Sequence, residues 1–260
     1  MQHEHIQLHA QQLHRALRDA LPIPPLTGRV QGINIEAAYA ISEALLQYRL
    51  EEGEKIVGRK IGLTSAAVQK MLGVDQPDFG TLTDAMAYED GAAISLAGMI
   101  APRAEGEIAF ILGHDLVGPG ITAHDVLAAT ESLAACFEIV DSRIANWKIA
   151  IADTVADNAS ASAFVLGKSR VPVAGIDLGT CGMVVEKNGE VISTGAGAAA
   201  LGSPTNCVAW LANTLGRFGI GLRAGEVILS GALVPLVDVA PGDTMRVRIS
   251  GIGSAQVKFT

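Results

Sequence analysis

Glu105 and Glu107 stand two residues apart in an apolar run at 104–112, and a third acid, Glu138, interrupts a second apolar run at 133–140. Runs this short and apolar read as buried strands, where an unpaired carboxylate is costly to desolvate. Strand alternation puts Glu105 and Glu107 on one face, about 7 Å apart along the chain. Three acids gathered in apolar surroundings repel one another unless a cation lies among them. An all-carboxylate oxygen set suits a hard divalent ion such as Mg²⁺ or Mn²⁺. The plain alternative is a solvated strand face, because Phe137 and Ile139 would project to the side opposite Glu138. Spacing alone leaves both readings open.

Other segments carry candidate chemistry. Lys60 lies in Gly58-Arg-Lys-Ile-Gly-Leu-Thr64, where glycines permit close backbone approach. It can bind a carboxylate, or act as an acid or base if its pKa is tuned by burial and charge, or be a surface lysine. Asp78 sits in Gln76-Pro-Asp-Phe-Gly80, ordinarily a turn. The segment Asp153-Thr-Val-Ala-Asp-Asn-Ala-Ser160 is denser in polar groups than a core segment should be and lacks the cations of a phosphate site. Its Ser160 can offer a hydroxyl to a bound anion or simply bond to a turn. Residues 195–200, Gly-Ala-Gly-Ala-Ala-Ala, lack the dinucleotide-binding glycine pattern.

Composition narrows the function classes. The net charge of −8 and the absence of a Lys/Arg cluster disfavour nucleic acid. No apolar run approaches the length of a membrane span, and the polar start Met-Gln-His-Glu-His lacks the core of a signal peptide. Cys136, Cys181 and Cys207 show no metal or redox spacing and read as reduced, buried thiols of a cytoplasmic protein. The six histidines lie in the N-terminal helix and in polar turns, which argues against histidine-bound zinc.

The elements that must position these residues fall into two regions. Helical spacing runs over 8–21 and stops at Pro22; Asn34 is placed to cap a second helix to about 52, and Thr64 a third over 65–72 ending at Gly73. After Pro102 strands are expected at 108–112 and 137–140, with a helix over 123–134 between them, opened by a Thr122/Asp125 capping box. Asn188-Gly189 between apolar runs signals a type I′ hairpin, and Ser203-Pro204 opens a helix over 205–215. Strands at 227–229, 245–249 and 255–259 complete the pattern. Helices followed by strands without regular alternation predict an α+β fold with a mixed, rolled-up sheet, divided as a helical region at 1–75 and a β-rich catalytic domain at 76–260.

Taken together, several segments resemble one family. Val57-Gly-Arg-Lys-Ile-Gly-Leu-Thr64, Gly73-Val-Asp-Gln-Pro-Asp-Phe-Gly80, Pro102-Arg-Ala-Glu-Gly-Glu107, Phe137-Glu-Ile-Val-Asp-Ser-Arg143 and the 153–160 segment are similar to the hydratase/decarboxylase branch of the fumarylacetoacetate hydrolase superfamily. The likeness runs from about Thr27 to the C-terminus. Segments 76–80 and 141–148 look more like its 2-hydroxydienoate hydratases than its 4-oxalocrotonate decarboxylases, while Ala161-Ser162 departs from a Cys-Gly pair common in similar hydratases. The resemblance implies a barrel-like sheet and a metal-dependent hydratase of 2-hydroxypenta-2,4-dienoate. It also implies a homo-oligomer that can associate with 4-oxalocrotonate decarboxylase. It assigns metal ligation to Glu105, Glu107 and Glu138, catalytic roles to Lys60 and Asp78, and substrate binding to Ser160 and Leu63. The alternatives it leaves are the decarboxylase itself, for which Arg59 and Lys60 are the obvious extra cations, and a non-catalytic partner subunit of that decarboxylase.

Overall fold

Two helices open the chain: α1, His3–Asp19, which is amphipathic, and the more apolar α2, Ile35–Glu51. The first ends with Ala20 in the left-handed region at φ 51°, just before Pro22; the second starts where the Asn34 side chain accepts the Ala37 N–H at 2.9 Å. They pack through Leu13, Ala38, Ile41 and Leu45 into a second, smaller core that Ile144, Ala152, Val155 and Ala156 complete. The computed structural model describes residues 1–72 and 74–260, so the expected helix stop at Gly73 lies outside the described residues.

Strand β1, Ile56–Gly62, comes next, then α3, Ala66–Leu72, and β2, Asp78–Thr83. The Ser65 carbonyl accepts the first α3 bond, from Gln69 N–H, one residue beyond the expected cap at Thr64. Short strands β3, Ala87–Glu89, and β4, Ala92–Ile94, lead to β5, Arg103–Leu112, and α4, Ala123–Ala129. The Thr122/Asp125 capping box forms as read. The expected extension of this helix to residue 134 does not: β6, Thr130–Val140, begins immediately, and Leu133, Ala134 and Ala135 pair with Phe110, Ala109 and Ile108 of β5. A run buried on both faces has no periodicity to separate helix from strand, so partner and length decide.

The rest comprises α5, Ile151–Ala156; β7, Ala161–Leu166; β8, Gly182–Lys187; β9, Glu190–Ala196; α6, Pro204–Gly216; β10, Val227–Leu229; β11, Val237–Asp238; β12, Thr244–Ile249; and β13, Gly253–Phe259. Asn188 and Gly189 close the β8–β9 hairpin with φ of 55° and 85°, the left-handed pair a type I′ turn requires. The expected C-terminal strands are all present.

Two mixed sheets result. The larger runs β2-β1-β10-β5-β6-β7-β3, with β11 also on β5; the smaller runs β4-β13-β12-β8-β9. β1–β10, β3–β7 and β4–β13 are parallel and the other pairs antiparallel. The larger sheet curls into a half-barrel. Its outer face meets the smaller sheet and α6 through Ile108, Phe110, Phe137, Val185, Val247 and Leu211. Its inner face carries Leu82, Ala109, Ala134, Ala161 and Phe164. The sheet begins with β1, ahead of residue 75, and the helical pair ends at Glu51. No described helix is long and apolar enough to cross a membrane.

The glycines of the β1 motif have a steric reason. A Cβ on Gly58 would lie 1.9 Å from the Val227 carbonyl oxygen of β10. Backbone cannot yield as a side-chain tip can, so Gly58→Ala must part β1 from β10. We expect it to lower unfolding stability by about 1–3 kcal/mol in urea titrations; an unchanged midpoint would contradict the close approach.

Candidate metal and catalytic site

β5 and β6 place Glu105 opposite Glu138 in register, and Glu107 opposite Cys136. One oxygen from each of Glu105, Glu107 and Glu138 lies within 4.8 Å of the others. Glu107 and Glu138 are fully buried, whereas Glu105 is half-buried and forms the open side of the cluster. Glu107 Oε2 accepts the Gly231 N–H at 2.8 Å, but Glu107 Oε1 and Glu138 Oε2 have no hydrogen-bond partner. Buried carboxylate oxygens left bare in this way are costly, and oxygens converging at this spacing are what a hard divalent cation takes as ligands. The solvated-face alternative is therefore excluded for Glu107 and Glu138.

Lys60 is the counter-charge. Its Nζ lies 3.0 Å from Glu138 Oε1 and donates to the Ala159 carbonyl at 2.8 Å. It is 3 % exposed, so the surface-lysine reading is overturned. β1 lies three strands from β6, about 14 Å on a flat sheet, which is farther than a lysine reaches. The curl of the half-barrel brings the two charges together. Burial disfavours the ammonium, but Glu138, Asp78, Glu105 and Glu107 outweigh it and hold Lys60 protonated, its pKa above the ordinary lysine range. In the metal-free protein the carboxylates thus favour the ammonium form of Lys60.

The carboxylates shift the other way. Burial and the neighbouring Glu138 push Glu105 up to about 7. Burial, then Glu138 and Glu105, raises Glu107 well above its usual range. Glu138 is also raised by burial, with Lys60 opposing.

Asp78 begins β2 opposite Gly62, on the face that carries Lys60. It is 2 % exposed, its Oδ1 is unpartnered, and its Oδ2 receives the Thr154 hydroxyl at 3.4 Å. Burial raises its pKa and Lys60 tempers the rise. A Cβ on Gly62 would come within 2.2 Å of Asp78 Oδ1, so this glycine makes room for the acid. Leu63 follows at φ 56°, half-buried, with its carbonyl bonded to Gln69.

The polar 153–160 segment wraps this constellation. Asp153 holds Thr27 and the start of α5; Thr154 reaches Asp78; Asn158 bonds both the N–H and the carbonyl of Thr81. Asn158, Ala159 and Ser160 all adopt left-handed φ, at 52°, 49° and 55°. Each costs about 1–2 kcal/mol, and such strain clusters at functional sites. The turn aims the Ala159 carbonyl at Lys60 and leaves Ser160 Oγ buried without a partner. Gly231, Ala159 and Thr154 were not among the expected site residues. Two of them act through backbone atoms, which residue type does not advertise, although a glycine directly after β10 is a usable signal. Arg59 alternates to the other face of β1 and lines a separate cavity of about 290 Å³ with Tyr39, Phe79 and Phe218.

Residues 57–260 match the family described as fumarylacetoacetate (FAA) hydrolase C-terminal. The chain is 56 % identical over 257 residues to a 2-hydroxyhexa-2,4-dienoate hydratase of Comamonas testosteroni, covering 98 % of this chain and 97 % of the relative. It is 62 % identical over 210 residues to a 2-hydroxypent-2,4-dienoate hydratase of Pseudomonas putida, covering 80 % and 95 %. Among solved structures, a 4-oxalocrotonate decarboxylase from Pseudomonas putida G7, complexed with magnesium and adipate, superposes with a TM-score of 0.97 at 36 % identity over 100 % of this chain and 99 % of that one.

The raised carboxylates have a pH signature. Between the ordinary glutamate value of 4.5 and about 7, Glu105 keeps its proton in the folded metal-free protein and loses it in the unfolded chain. Raising the pH through that window therefore lowers metal-free stability. Chelator-stripped protein should melt at a lower temperature near pH 8 than near pH 5. Glu105→Gln should weaken that dependence, Glu107 and Glu138 keeping the remainder, and Mg²⁺ should stabilise the wild type most at the higher pH. A flat profile in the wild type would contradict a coupled carboxylate cluster.

Proposed function

The chain belongs to the fumarylacetoacetate hydrolase family, and from that premise we propose that it is a divalent-metal-dependent hydro-lyase. In this reading it adds water to 2-hydroxypenta-2,4-dienoate to give 4-hydroxy-2-oxopentanoate, a step of the meta-cleavage route of aromatic degradation. The observation that carries the reading is 62 % and 56 % identity to named 2-hydroxydienoate hydratases over most of the chain, against 36 % to the decarboxylase. The intact Glu105, Glu107, Glu138 and Lys60 cluster supports an active enzyme over a scaffold subunit.

The three glutamates fit a divalent ion as an all-oxygen set with bare buried atoms. We assign Mg²⁺ or Mn²⁺ to it on the hardness of those ligands and on the magnesium in the related decarboxylase structure. When bound, such an ion supplies Lewis-acid stabilisation of the negative charge that develops on the substrate 2-oxygen.

The chain's own groups do the rest. Ser160 Oγ, buried and unpaired, donates to the substrate carboxylate, and Leu63 borders the bound chain. Lys60 Nζ, buried beside Glu138, donates to the oxygen on which charge accumulates. Asp78, with its raised pKa and free Oδ1, exchanges protons with substrate carbon and water. Protonation at C5 converts the dienol into a 2-oxo-3-enoate; water adds at C4, and a proton returned to C3 completes the hydration. A diacid decarboxylase would need a further cation, and Arg59 lies on the opposite face of β1 from Lys60. A homo-oligomer, able to associate with the decarboxylase it resembles, belongs to the same proposal.

Chelator-stripped protein given Mg²⁺ or Mn²⁺ should bleach the diene absorbance of 2-hydroxypenta-2,4-dienoate and form a product heavier by one water. Carbon dioxide release from 2-oxohex-3-enedioate, without hydration, would assign the decarboxylase instead, and silence on both would favour the scaffold. Glu107→Gln and Glu138→Gln should abolish metal-dependent turnover in folded protein. Lys60→Ala should slow turnover by about 10²-fold or more with the metal still bound; unchanged kinetics would remove Lys60 from the mechanism.

A further inference from the structure

We infer that Arg143, which lies behind the site, is a positioning residue: its guanidinium brackets the left-handed turn 158–160 and thereby sets where Lys60 and Ser160 point. The inference rests on the hydratase reading above. Arg143 is 2 % exposed and lies just beyond β6. Its Nε donates to Asp157 Oδ1 at 2.5 Å, its Nη2 to the Asp157 carbonyl, and its Nη1 to the carbonyls of Ala161 at 3.0 Å and Asp141 at 2.6 Å. Its backbone N–H donates to Asp157 Oδ2 at 2.9 Å.

The two carbonyls at Asp157 and Ala161 are the entrance and exit of the turn. One rigid fork holds both, which an ammonium on a flexible stem cannot do. Between these anchors lie three consecutive non-glycine residues at positive φ; asparagine tolerates that region, but nothing in the conformational preference of Ala159 and Ser160 keeps them there. The Asn158 side chain pins the turn to Thr81 of β2. The Ala159 carbonyl then meets Lys60 Nζ, and Ser160 Oγ stays free of protein partners. Released from Arg143, the turn would relax, Ser160 would turn away, and Lys60 would lose one of its two fixed contacts. The metal ligands sit on β5 and β6 and make no contact with Arg143 among the described hydrogen bonds and ion pairs.

Arg143→Lys and Asp157→Asn in Mg²⁺-loaded enzyme test this. Asp157→Asn keeps the shape of the acceptor and weakens the pair from its other side, so it decides the matter if Arg143→Lys does not fold. We expect Mg²⁺ affinity within about twofold of wild type. The Kd of the saturated analogue 2-oxopentanoate and the KM should rise, and kcat should fall, by about tenfold to a hundredfold, the scale of a small misplacement of site groups. A purely structural Arg143 would instead reduce only the active fraction, leaving KM and analogue affinity at wild-type values, and that result would overturn the inference. Wild-type enzyme that binds 2-oxopentanoate but does not hydrate the dienoate would sink the proposed function alone, with analogue affinity still judging Arg143. Failure of the wild type to bind the analogue would remove both.

Discussion

A surplus of buried negative charge governs the architecture around the site. Glu105, Glu107, Glu138 and Asp78 converge inside the half-barrel with one ammonium, Lys60, among them. Their mutual repulsion in a poorly solvated interior is relieved by retained protons or by a cation, and Lys60 neutralises a fraction of it. The same electrostatic imbalance that raises the carboxylates makes the cluster a place where a divalent ion could bind. The curl of the larger sheet brings these charges together, and the Gly231 N–H offsets part of the cost at Glu107 while other oxygens stay bare.

Much of this was legible in the sequence, for identifiable reasons. The Glu105/Glu107 alternation works because a strand has a period of two, and the 188–189 hairpin because few residue pairs tolerate two successive positive φ values. The helix expected to reach 134 failed because Leu133, Ala134 and Ala135 are buried on both faces, where periodicity is silent. Lys60 was ambiguous for a different reason. Its burial depends on Glu138, 78 positions later in the chain, and only the sheet's curl makes them neighbours. The Ala159 carbonyl and the Gly231 amide were invisible to any reading by residue type, since every residue has both groups.

The 153–160 segment illustrates how polar density in an apolar setting resolves into separate tasks. Asp153 ties α5 to Thr27, Thr154 steadies Asp78, Asp157 engages Arg143, and Asn158 substitutes for a strand beside Thr81. Only Ser160 is left without a protein partner. Bare buried atoms recur around it, at Asp78 Oδ1, Glu107 Oε1 and Ser230 Oγ, where buried polar groups are otherwise paired.

Helix α5 also belongs to the small helical core, where Ala152, Val155 and Ala156 pack with Leu13 and Ile41 of α1 and α2. The first fifty residues contribute no carboxylate and no lysine to the site, yet they form the wall against which its supporting helix rests. Through α5 that wall touches the segment whose Thr154 bonds Asp78 and whose Asn158 bonds Thr81. The placement of Asp78's neighbours is thus tied to a helical region that itself supplies none of the clustered carboxylates.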